Sequence, residues 1–345
     1  MTRFLVTGVT GRVGSTLAAT LLAKGHEVRG LVAPGDPARA KLEFLPGLEV
    51  AEADLGNWAG VEASVAGVDV VLHMAARLIR LGESVDSFFD TNTMGTVRLT
   101  EAAARRGVKH FIHASTDGAY DFFVPRTAPI TETEPQRPCD YYGTSKVLAE
   151  EAVRGIARQW DLPYTILRFA SVVAPSEVLG CFRLSYAAAF LGLSKYGRDT
   201  HLWQLFEEWP HPESCLDKID TAGDPAVVIV DRRRKPWSIH LTDVRDAVTG
   251  VLLALRSPNA IGETFHIVGP ASTPWTEGGR EVGMALGLPL HTVTAQNSLT
   301  ITLSYRKAAA LLGYRPEWNF ARMVASGLEW QSGVRPANVL PAGVG

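Results

Sequence analysis

The first 32 residues contain the feature that most restricts the fold of this 345-residue chain. A short run of β-forming residues, RFLVT (3–7), is followed by TGVTGRVG, which holds Gly8, Gly11 and Gly14. A helical segment rich in Ala and Leu comes next, and EVRGLV (27–32) begins a second strand. A strand, a glycine loop, a helix and a second strand in this order form the unit of a doubly wound parallel sheet.

The alternation of strands and helices continues along the chain and predicts an α/β fold of the Rossmann type. Further strands are predicted at 48–55, 68–76, 110–116, 164–169 and 263–269. The alternation of strands and helices stops at residues 171–235, where short apolar, aromatic and proline-containing segments are mixed. We therefore predict a Rossmann domain of residues 1–170 plus about 236–268, a smaller C-terminal α/β lobe of residues 171–235 and 269–335, and a tail at 336–345.

Composition places the chain among ordinary globular proteins and argues against some partners. It is 46% hydrophobic and 20% charged with a formal net charge of −2, so we predict no nucleic-acid partner. Three cysteines without ligand spacing, a strand near the start in place of a signal peptide, and no apolar run of about 18 residues predict a cytoplasmic protein without metal or membrane segment. The one dense basic cluster, RRRK (232–235), is either a solvated hairpin or a contact to a bound phosphate or carboxylate.

The glycine loop predicts a dinucleotide-binding site. Glycines between a first strand and its helix allow a tight turn and let the backbone approach a pyrophosphate, which the free N–H groups of the helix attract. The predicted contacts of this loop are Gly8, Gly11, Arg12, Val13 and Gly14. Asp54 and Leu55, at the end of the third strand, either bond the adenine edge or begin the next helix as its N-cap.

The second strand does not decide between NAD and NADP. An acidic residue at its end accepts from the 2′-hydroxyl of NAD, whereas an arginine there binds the 2′-phosphate of NADP. Here the strand ends in LVAPGD (31–36), with neither residue type at its tip. Asp36 could reach a hydroxyl and Arg12 or Arg39 could reach a phosphate, so both cofactors stay open.

The segment DYYGTSKVLAEEA (140–152) places a phenol and an ammonium on one face of a predicted helix. Tyr142 and Lys146 are four residues apart, whereas Tyr141 points elsewhere. A neighbouring ammonium lowers the ordinary tyrosine pKa of about 10, which would let Tyr142 move a proton at neutral pH. Such pairs also arise by chance, but HASTDGAY (113–120) precedes this one and offers hydroxyl groups at a strand end.

With these motifs in this order, the sequence resembles the extended short-chain dehydrogenase/reductase family and, more narrowly, its NAD-dependent epimerase/dehydratase group. The segments that carry the resemblance are TGVTGRVG, HMAA, NTMGT, STDGAY, YGTSK and LGYRPEW, and it extends to about residue 332. The resemblance implies that Tyr142 is the general acid/base, Lys146 its pKa partner and a ribose contact, and Thr116 the hydroxyl that orients the substrate oxygen. It also implies a homodimer, paired through the helices that follow the fourth and fifth strands.

Three further cofactor contacts are implied by the same resemblance. Asn92 in NTMGT matches a family asparagine near the cofactor, although a helix N-cap is an equally simple alternative. Ala75 and Ala76 in HMAA leave room for cofactor–backbone contacts or for tight packing. Ser115, beside Thr116, is expected to be more structural.

Three departures from the family pattern bear on the substrate. Gly118 stands where nucleotide-sugar 4,6-dehydratases carry a glutamate, so a base for β-elimination is missing. Ser171 stands where nucleotide-sugar enzymes usually carry an asparagine that contacts the sugar diphosphate. Residues 176–235 match no sugar-nucleotide pattern and hold seven aromatic residues, which either line an apolar pocket or form the core of the lobe.

These observations leave three hypotheses for the function. The favoured one is an NAD(P)-dependent oxidoreductase that moves hydride between the nicotinamide and a secondary alcohol or carbonyl carbon of a small molecule. The second is a sugar epimerase with tightly bound NAD, in which the hydride returns to the other face of the substrate. The third is a cofactor-binding regulator without turnover, which the complete set of Thr116, Tyr142 and Lys146 disfavours.

Overall fold

The structure is a computed structural model that describes residues 2–78 and 84–342. Its strands are β1 Arg3–Thr7, β2 Glu27–Val32, β3 Glu49–Glu52, β4 Val70–His73, β5 His110–Thr116, β6 Tyr164–Phe169, β7 Ser171–Val173, β8 Ala226–Val230, β9 Ser238–Ile239, β10 Leu241–Asp243, β11 Thr264–Ile267, β12 Thr273–Pro274 and β13 Leu290–Thr294. Its α-helices are α1 Arg12–Ala23, α2 Trp58–Val65, α3 Val85–Phe88, α4 Gly95–Arg105, α5 Tyr141–Trp160, α6 Leu184–Leu191, α7 Trp203–Phe206, α8 Val244–Arg256, α9 Trp275–Leu286, α10 Arg306–Leu312 and α11 Phe320–Gln331. No helix among the described residues is long and apolar enough to span a bilayer.

Seven of these strands form a parallel sheet in the order β11-β6-β5-β4-β1-β2-β3. Strand β1 lies between β2 and β4, so the chain reverses its direction across the sheet at this point. In such sheets, ligands bind in the crevice outside the carboxyl ends of the strands at the reversal. The predicted Rossmann-type α/β fold with a doubly wound parallel sheet is confirmed.

The glycine loop between β1 and α1 requires glycine for steric reasons. Gly8 has a φ of +64°, and a Cβ at this position would lie 2.7 Å from the backbone of Ala75. A Cβ on Gly14 would lie only 2.1 Å from the carbonyl oxygen of Gly8. Helix α1 therefore begins in direct backbone contact with the loop that precedes it.

Replacing Gly14 with alanine is expected to lower the free energy of unfolding by about 1–3 kcal/mol, because the backbone must move to admit the methyl group. Gly155 is the matched control, since it is exposed in the middle of α5 with open space around its Cβ position. Gly155→Ala is expected to raise the free energy of unfolding by about 0.5–1 kcal/mol. Denaturant unfolding measures both changes, and equal effects of the two substitutions would contradict this packing.

Two segments predicted as single helices are interrupted in the structure. The segment 88–107 contains a π-helical turn, Phe89–Met94, between α3 and α4. The segment 305–332 is divided into α10 and α11, because Gly313 adopts the left-handed conformation with a φ of +71° and Pro316 follows it. The breaks leave the order of the elements unchanged.

A lobe built around β8, β13, α6, α9 and α11 packs beside the sheet. Strands β8 and β13 pair in parallel, and their apolar side chains join a core that includes Phe182, Trp237 and Trp275. Phe182 meets Trp275 and Phe320 edge-on, with ring centroids 5.1 and 4.9 Å apart. The exact limits of the Rossmann domain and the lobe stay a prediction.

The RRRK cluster at 232–235 is an exposed turn that follows β8. Asp231 closes this turn, since its Oδ1 accepts from the backbone N–H groups of Arg233 and Lys235 at 2.8 Å each. The four residues are therefore exposed in a turn, and the choice between the two interpretations of this cluster stays a prediction.

Candidate active site

A cleft of about 620 Å³ lies beyond the carboxyl ends of the central strands. On the sheet side it is lined by the glycine loop, the end of β5 and the first turns of α5. The lobe side presents mainly apolar side chains, which include Cys181, Tyr186, Phe190, Ile239, Leu241 and Ile301. The cleft therefore joins a polar end at the sheet to an apolar chamber in the lobe.

Helix α5 begins at this cleft because Asp140 caps it, its Oδ1 accepting from a backbone N–H of the first turn at 2.7 Å. Tyr142 and Lys146 follow one turn apart and line the cleft, as does Thr116 at the end of β5. Tyr141 is 42% exposed and lies outside the lining. The structure thus brings the three predicted catalytic side chains into one cavity.

The pKa of Tyr142 differs from the sequence-based expectation. Burial raises this pKa, a hydrogen bond with the Thr116 side chain opposes the rise, and the carboxyl groups of Asp117 and Asp140 add to it. The prediction that Lys146 lowers the pKa of Tyr142 is wrong for the protein by itself. The sequence pattern shows the ammonium on the same helix face, but it does not show the burial or the two acids.

Lys146 is the most informative group in the cleft. It is 1% exposed, and its Nζ has no hydrogen-bond partner among the described residues. Burial lowers the pKa of Lys146 to about 8, while the carboxylate of Glu150 acts in the opposite direction. A buried ammonium without a partner is costly, so this position fits a ligand that supplies oxygen acceptors. The hydroxyl groups of a nucleotide ribose are acceptors of this kind.

A buried network behind the cleft fixes α5 against β5 and β6. Glu150 is fully buried and accepts from Ser115 Oγ at 2.6 Å and from Arg168 Nε and Nη2 at 2.8 and 2.7 Å. Burial raises the pKa of Glu150. The charge and hydrogen bonds of Arg168 and the hydrogen bond from Ser115 outweigh burial and lower this pKa to about 2. Ser115 lines the cleft and also bonds Glu150, so its structural role stays a prediction, and the network positions the helix that carries Tyr142 and Lys146.

The glycine loop forms the other end of the cleft. The lining residues from this loop are Gly8, Gly11, Arg12, Val13 and Gly14. They surround the N-terminus of α1, where the first N–H groups have no helical partners and attract anions. Arg12 pairs across the cleft with Glu177 of the lobe, with Nε–Oε2 and Nη2–Oε1 distances of 3.0 and 2.9 Å. All five predicted loop contacts therefore lie at the cleft.

Comparison with known proteins agrees with this arrangement. A sequence model of the NAD dependent epimerase/dehydratase family matches residues 4–189, more than half of the chain. The chain belongs to this family. The UDP-glucose 4-epimerase of Streptococcus mutans is 26% identical over 341 residues, which cover 95% of this chain and 96% of that protein. A 3-beta-hydroxysteroid dehydrogenase of Mycolicibacterium neoaurum is 34% identical over 164 residues, which cover 44% and 43% of the two chains.

Solved structures extend the similarity to the whole fold. A short-chain dehydrogenase/reductase superfamily protein from Agrobacterium tumefaciens, with bound NAD, has a TM-score of 0.81 at 27% identity and covers 96% of this chain and 98% of its own. UDP-glucuronic acid 4-epimerase from Bacillus cereus has a TM-score of 0.72 at 20% identity, with 96% and 100% covered, and shares the fold. The resemblance seen in the motifs is confirmed, and the protein is a member of an enzyme family that works with NAD.

Four of the predicted cofactor contacts lie outside the cleft lining of this epimerase/dehydratase family member: Asp54, Leu55, Ala75 and Asn92. Asp54 accepts from the backbone N–H of Gly56 at 2.6 Å, and the N-cap of α2 is Asn57. Leu55 is buried in the core between the sheet and the helices, and Ala75 packs against the glycine loop. By contrast, Ala76 lines the cleft. The assignment of these side chains to the cofactor stays a prediction.

Asn92 is buried, and it connects two segments near the cleft. Its Oδ1 accepts from the backbone N–H of Arg77 at 2.7 Å, and its Nδ2 donates to Ser145 Oγ at 2.9 Å. It lies within the π-helical turn, so the N-cap alternative is wrong. Asn92 connects the segment after β4 to α5, and a direct cofactor contact stays a prediction.

Sequence analysis missed two acidic residues of the cleft, Asp140 and Glu177. Asp140 had a usable signal, because an aspartate directly before a helical segment is typical of an N-cap. Glu177 had no such signal, since only the folding of the lobe brings it to Arg12. Asp117 was noted in the STDGAY motif, and the structure places it in the same lining.

The seven aromatic residues of the lobe segment divide between the two interpretations. Tyr186 and Phe190 line the cleft. Phe182 and Phe206 are buried in the core of the lobe, and Trp203 Nε1 donates to a backbone carbonyl at 3.1 Å. The apolar wall of the cleft is therefore made by a minority of these side chains, and most of the set packs elsewhere.

Proposed function

We propose that the protein is an NAD-dependent oxidoreductase that transfers hydride between the nicotinamide and a secondary alcohol or carbonyl carbon of a small molecule. The observation that best supports this function is the buried Nζ of Lys146, unpartnered within the described residues, in the same cleft as Tyr142 and Thr116. The NAD bound to the Agrobacterium tumefaciens relative supports the choice of cofactor.

In this proposal the side chains of Thr116 and Tyr142 hold the reacting oxygen. Both side chains line the same cleft, so one ligand oxygen could meet the two hydroxyl groups. The nicotinamide supplies or accepts the hydride. In reduction, Tyr142 donates its proton to the carbonyl oxygen, and its raised pKa keeps the phenol protonated at neutral pH. In oxidation, Tyr142 accepts the alcohol proton as a phenolate, a form that the positive ring of an oxidised cofactor would favour.

The surroundings of the glycine loop favour NAD over NADP. Asp36 Oδ2 accepts from a threonine hydroxyl of the loop at 2.7 Å, which holds this carboxylate beside the cofactor site. Arg12 is paired with Glu177, and Arg39 is paired with Glu52. A carboxylate accepts from a 2′-hydroxyl and repels a 2′-phosphate, while both candidate phosphate ligands already have acidic partners.

The direct test of this function is the oxidation of NADH and NADPH by the purified protein with a panel of cyclic and aromatic ketones. We expect turnover with at least one ketone, and a kcat/KM for NADH at least about tenfold above that for NADPH, which corresponds to about 1.4 kcal/mol. Reactions without ketone are the control. Binding of NAD without oxidation of NADH by any ketone would contradict the oxidoreductase and leave the epimerase and the regulator as candidates.

Similarity over the whole chain to a UDP-glucose 4-epimerase favours a second candidate function. In a sugar epimerase the hydride leaves and returns, so the cofactor is not consumed. The NAD content of the protein after purification and dialysis separates the two candidates. NAD that stays bound favours the epimerase, whereas reversible exchange favours the oxidoreductase.

We further propose a cytoplasmic homodimer that pairs through α4 and α5. These helices pack side by side, and α5 leaves Leu148 and Trp160 46% and 41% exposed. Three free cysteines are consistent with a reducing compartment.

We also propose that residues 1–170 with 236–268 bind the cofactor, and that residues 171–235 with 269–335 bind the substrate.

A further inference from the structure

Among the described residues that line the cleft, carboxyl groups outnumber cationic side chains. The cations are Arg12 and Lys146, and the carboxyl groups belong to Asp117, Asp140 and Glu177. Arg12 is held by Glu177 through a two-contact ion pair. Under the proposed function, Lys146 binds the cofactor. Asp117 and Asp140 therefore face the substrate space without a compensating cation from this set.

These two acids come from segments that meet beside Tyr142. Asp117 follows β5, and Asp140 caps α5. A Cβ on Gly143 would lie 2.3 Å from the carbonyl oxygen of Gly118, so the two segments are in direct backbone contact. Both carboxyl groups act electrostatically on the phenol of Tyr142, which places them next to the reacting centre.

Asp140 keeps one carboxylate oxygen for a ligand. The residue is 6% exposed, and its Oδ1 is used by the helix cap. Its Oδ2 is buried and has no hydrogen-bond donor among the described residues. Leaving a buried carboxylate oxygen without a donor is unfavourable, and a hydroxyl group of a bound substrate would supply one.

We infer that Asp117 and Asp140 form an acidic subsite that selects a substrate with a hydroxyl group next to the reacting carbon and without a phosphate group. This inference rests on the proposed function, because it places the reacting carbon at Tyr142. A hydroxyl donates to the carboxylates, whereas a diphosphate would bring like charges together in a cleft of low dielectric. The apolar wall of Tyr186 and Phe190 suits a ring or hydrocarbon body.

UDP, a diphosphate without a sugar, tests the exclusion of phosphate independently of turnover. Binding is measured by calorimetry on NAD-saturated protein at about pH 8, since burial raises the pKa of Asp117 to about 7 and that of Asp140 to about 6. We expect a Kd above about 1 mM for the wild type and at least about tenfold tighter binding by the double variant Asp117→Asn, Asp140→Asn. Asp217→Asn makes the same change of charge at an exposed site outside the cleft and is expected to bind UDP as the wild type does.

Two results of this titration would overturn the inference. Micromolar binding of UDP by the wild type would show that the cleft accepts a diphosphate, and would favour a nucleotide-sugar substrate. An unchanged affinity in the double variant would show that the two acids do not exclude UDP. Neither result depends on the ketone assay that tests the proposed function.

A matched pair of ketones, 2-hydroxycyclohexanone and cyclohexanone, tests the selection of the hydroxyl group. With NADH, the wild type is expected to show a kcat/KM at least about tenfold higher for the hydroxyketone, as a hydrogen bond to a charged group predicts. Asp140→Asn is expected to bring this ratio close to one, because the amide preserves the cap of α5 and removes the charged acceptor. Asp117→Asn is a second variant, should the first unfold. Equal kcat/KM values in the wild type, or reduction of neither ketone while others of the panel react, would overturn the selection and leave the proposed function intact.

Discussion

Replacing Tyr142 with phenylalanine is expected to lower kcat for ketone reduction by about 10²–10⁴-fold. The substitution removes the only proton that this position can give to the carbonyl oxygen, while the ring keeps its packing in the first turn of α5. NAD affinity is expected to change much less than kcat, because the glycine loop and Lys146 stay in place. Steady-state kinetics with a ketone identified from the panel, together with a titration of NAD, measure both effects.

Tyr141 gives this experiment a matched control. It is the adjacent tyrosine on the same helix, it is 42% exposed, and it lies outside the cleft lining. Tyr141→Phe makes the same chemical change and is expected to leave kcat within about twofold of the wild type. If Tyr142→Phe kept the wild-type kcat, the assignment of this phenol as the general acid/base would be wrong.

Replacing Lys146 with methionine is expected to stabilise the NAD-free protein and to abolish most of its activity. Burial lowers the pKa of Lys146 from 10.5 to about 8, and a depression of this size corresponds to on the order of 3 kcal/mol of destabilisation at neutral pH. Methionine has a similar length and carries no charge, so it removes this cost. The same substitution removes the proposed ribose contact and a cation from the cleft that holds Tyr142, and both NAD affinity and kcat are expected to fall by at least about tenfold.

The stabilisation by Lys146→Met has a defined dependence on pH. The unfolded chain holds the lysine proton up to about pH 10.5, whereas the folded protein releases it near pH 8. The cost of the buried ammonium is therefore complete below pH 8 and fades as the pH rises toward 10.5. Denaturant unfolding of the NAD-free proteins should show the largest difference near pH 7 and little difference near pH 10.

Lys218→Met is the control for the stability measurement, because Lys218 is exposed and outside the cleft. This substitution is expected to change the free energy of unfolding by less than about 0.5 kcal/mol at every pH. A Lys146→Met variant that is less stable than the wild type at pH 7 would mean that the ammonium has a favourable partner in the protein, and the proposed role of Lys146 as a cofactor contact would lose its support.

The positions of the glycine loop, Thr116, Tyr142 and Lys146 could be predicted from the sequence, because short-range patterns specify them. A β-run, three glycines and a helical segment within the first 24 residues determine where the chain turns and where α1 begins. The four-residue spacing of Tyr142 and Lys146 determines that they share a helix face. Since parallel strands end at the same edge of a sheet, the sequence alone places Thr116, at the end of β5, near them.

The electrostatics of the site could not be predicted in the same way, because they depend on contacts between distant segments. Burial raises the pKa of Tyr142 where the sequence pattern indicated a lowering. Glu177 meets Arg12 although 165 positions separate them in the chain. Asn92 was expected at a cofactor or a helix start, but it bonds the segment after β4 to Ser145 on α5. Each of these contacts is set by the packing of the lobe or of α5 on the sheet.

A crystal structure of the NAD complex tests the central claim most directly. We predict that Lys146 Nζ lies within about 3 Å of the ribose hydroxyl groups of the nicotinamide half, and that the Tyr142 hydroxyl and Thr116 face the same side of the nicotinamide ring. A complex in which the nicotinamide lies elsewhere, and in which Lys146 Nζ still has no hydrogen-bond partner, would contradict it.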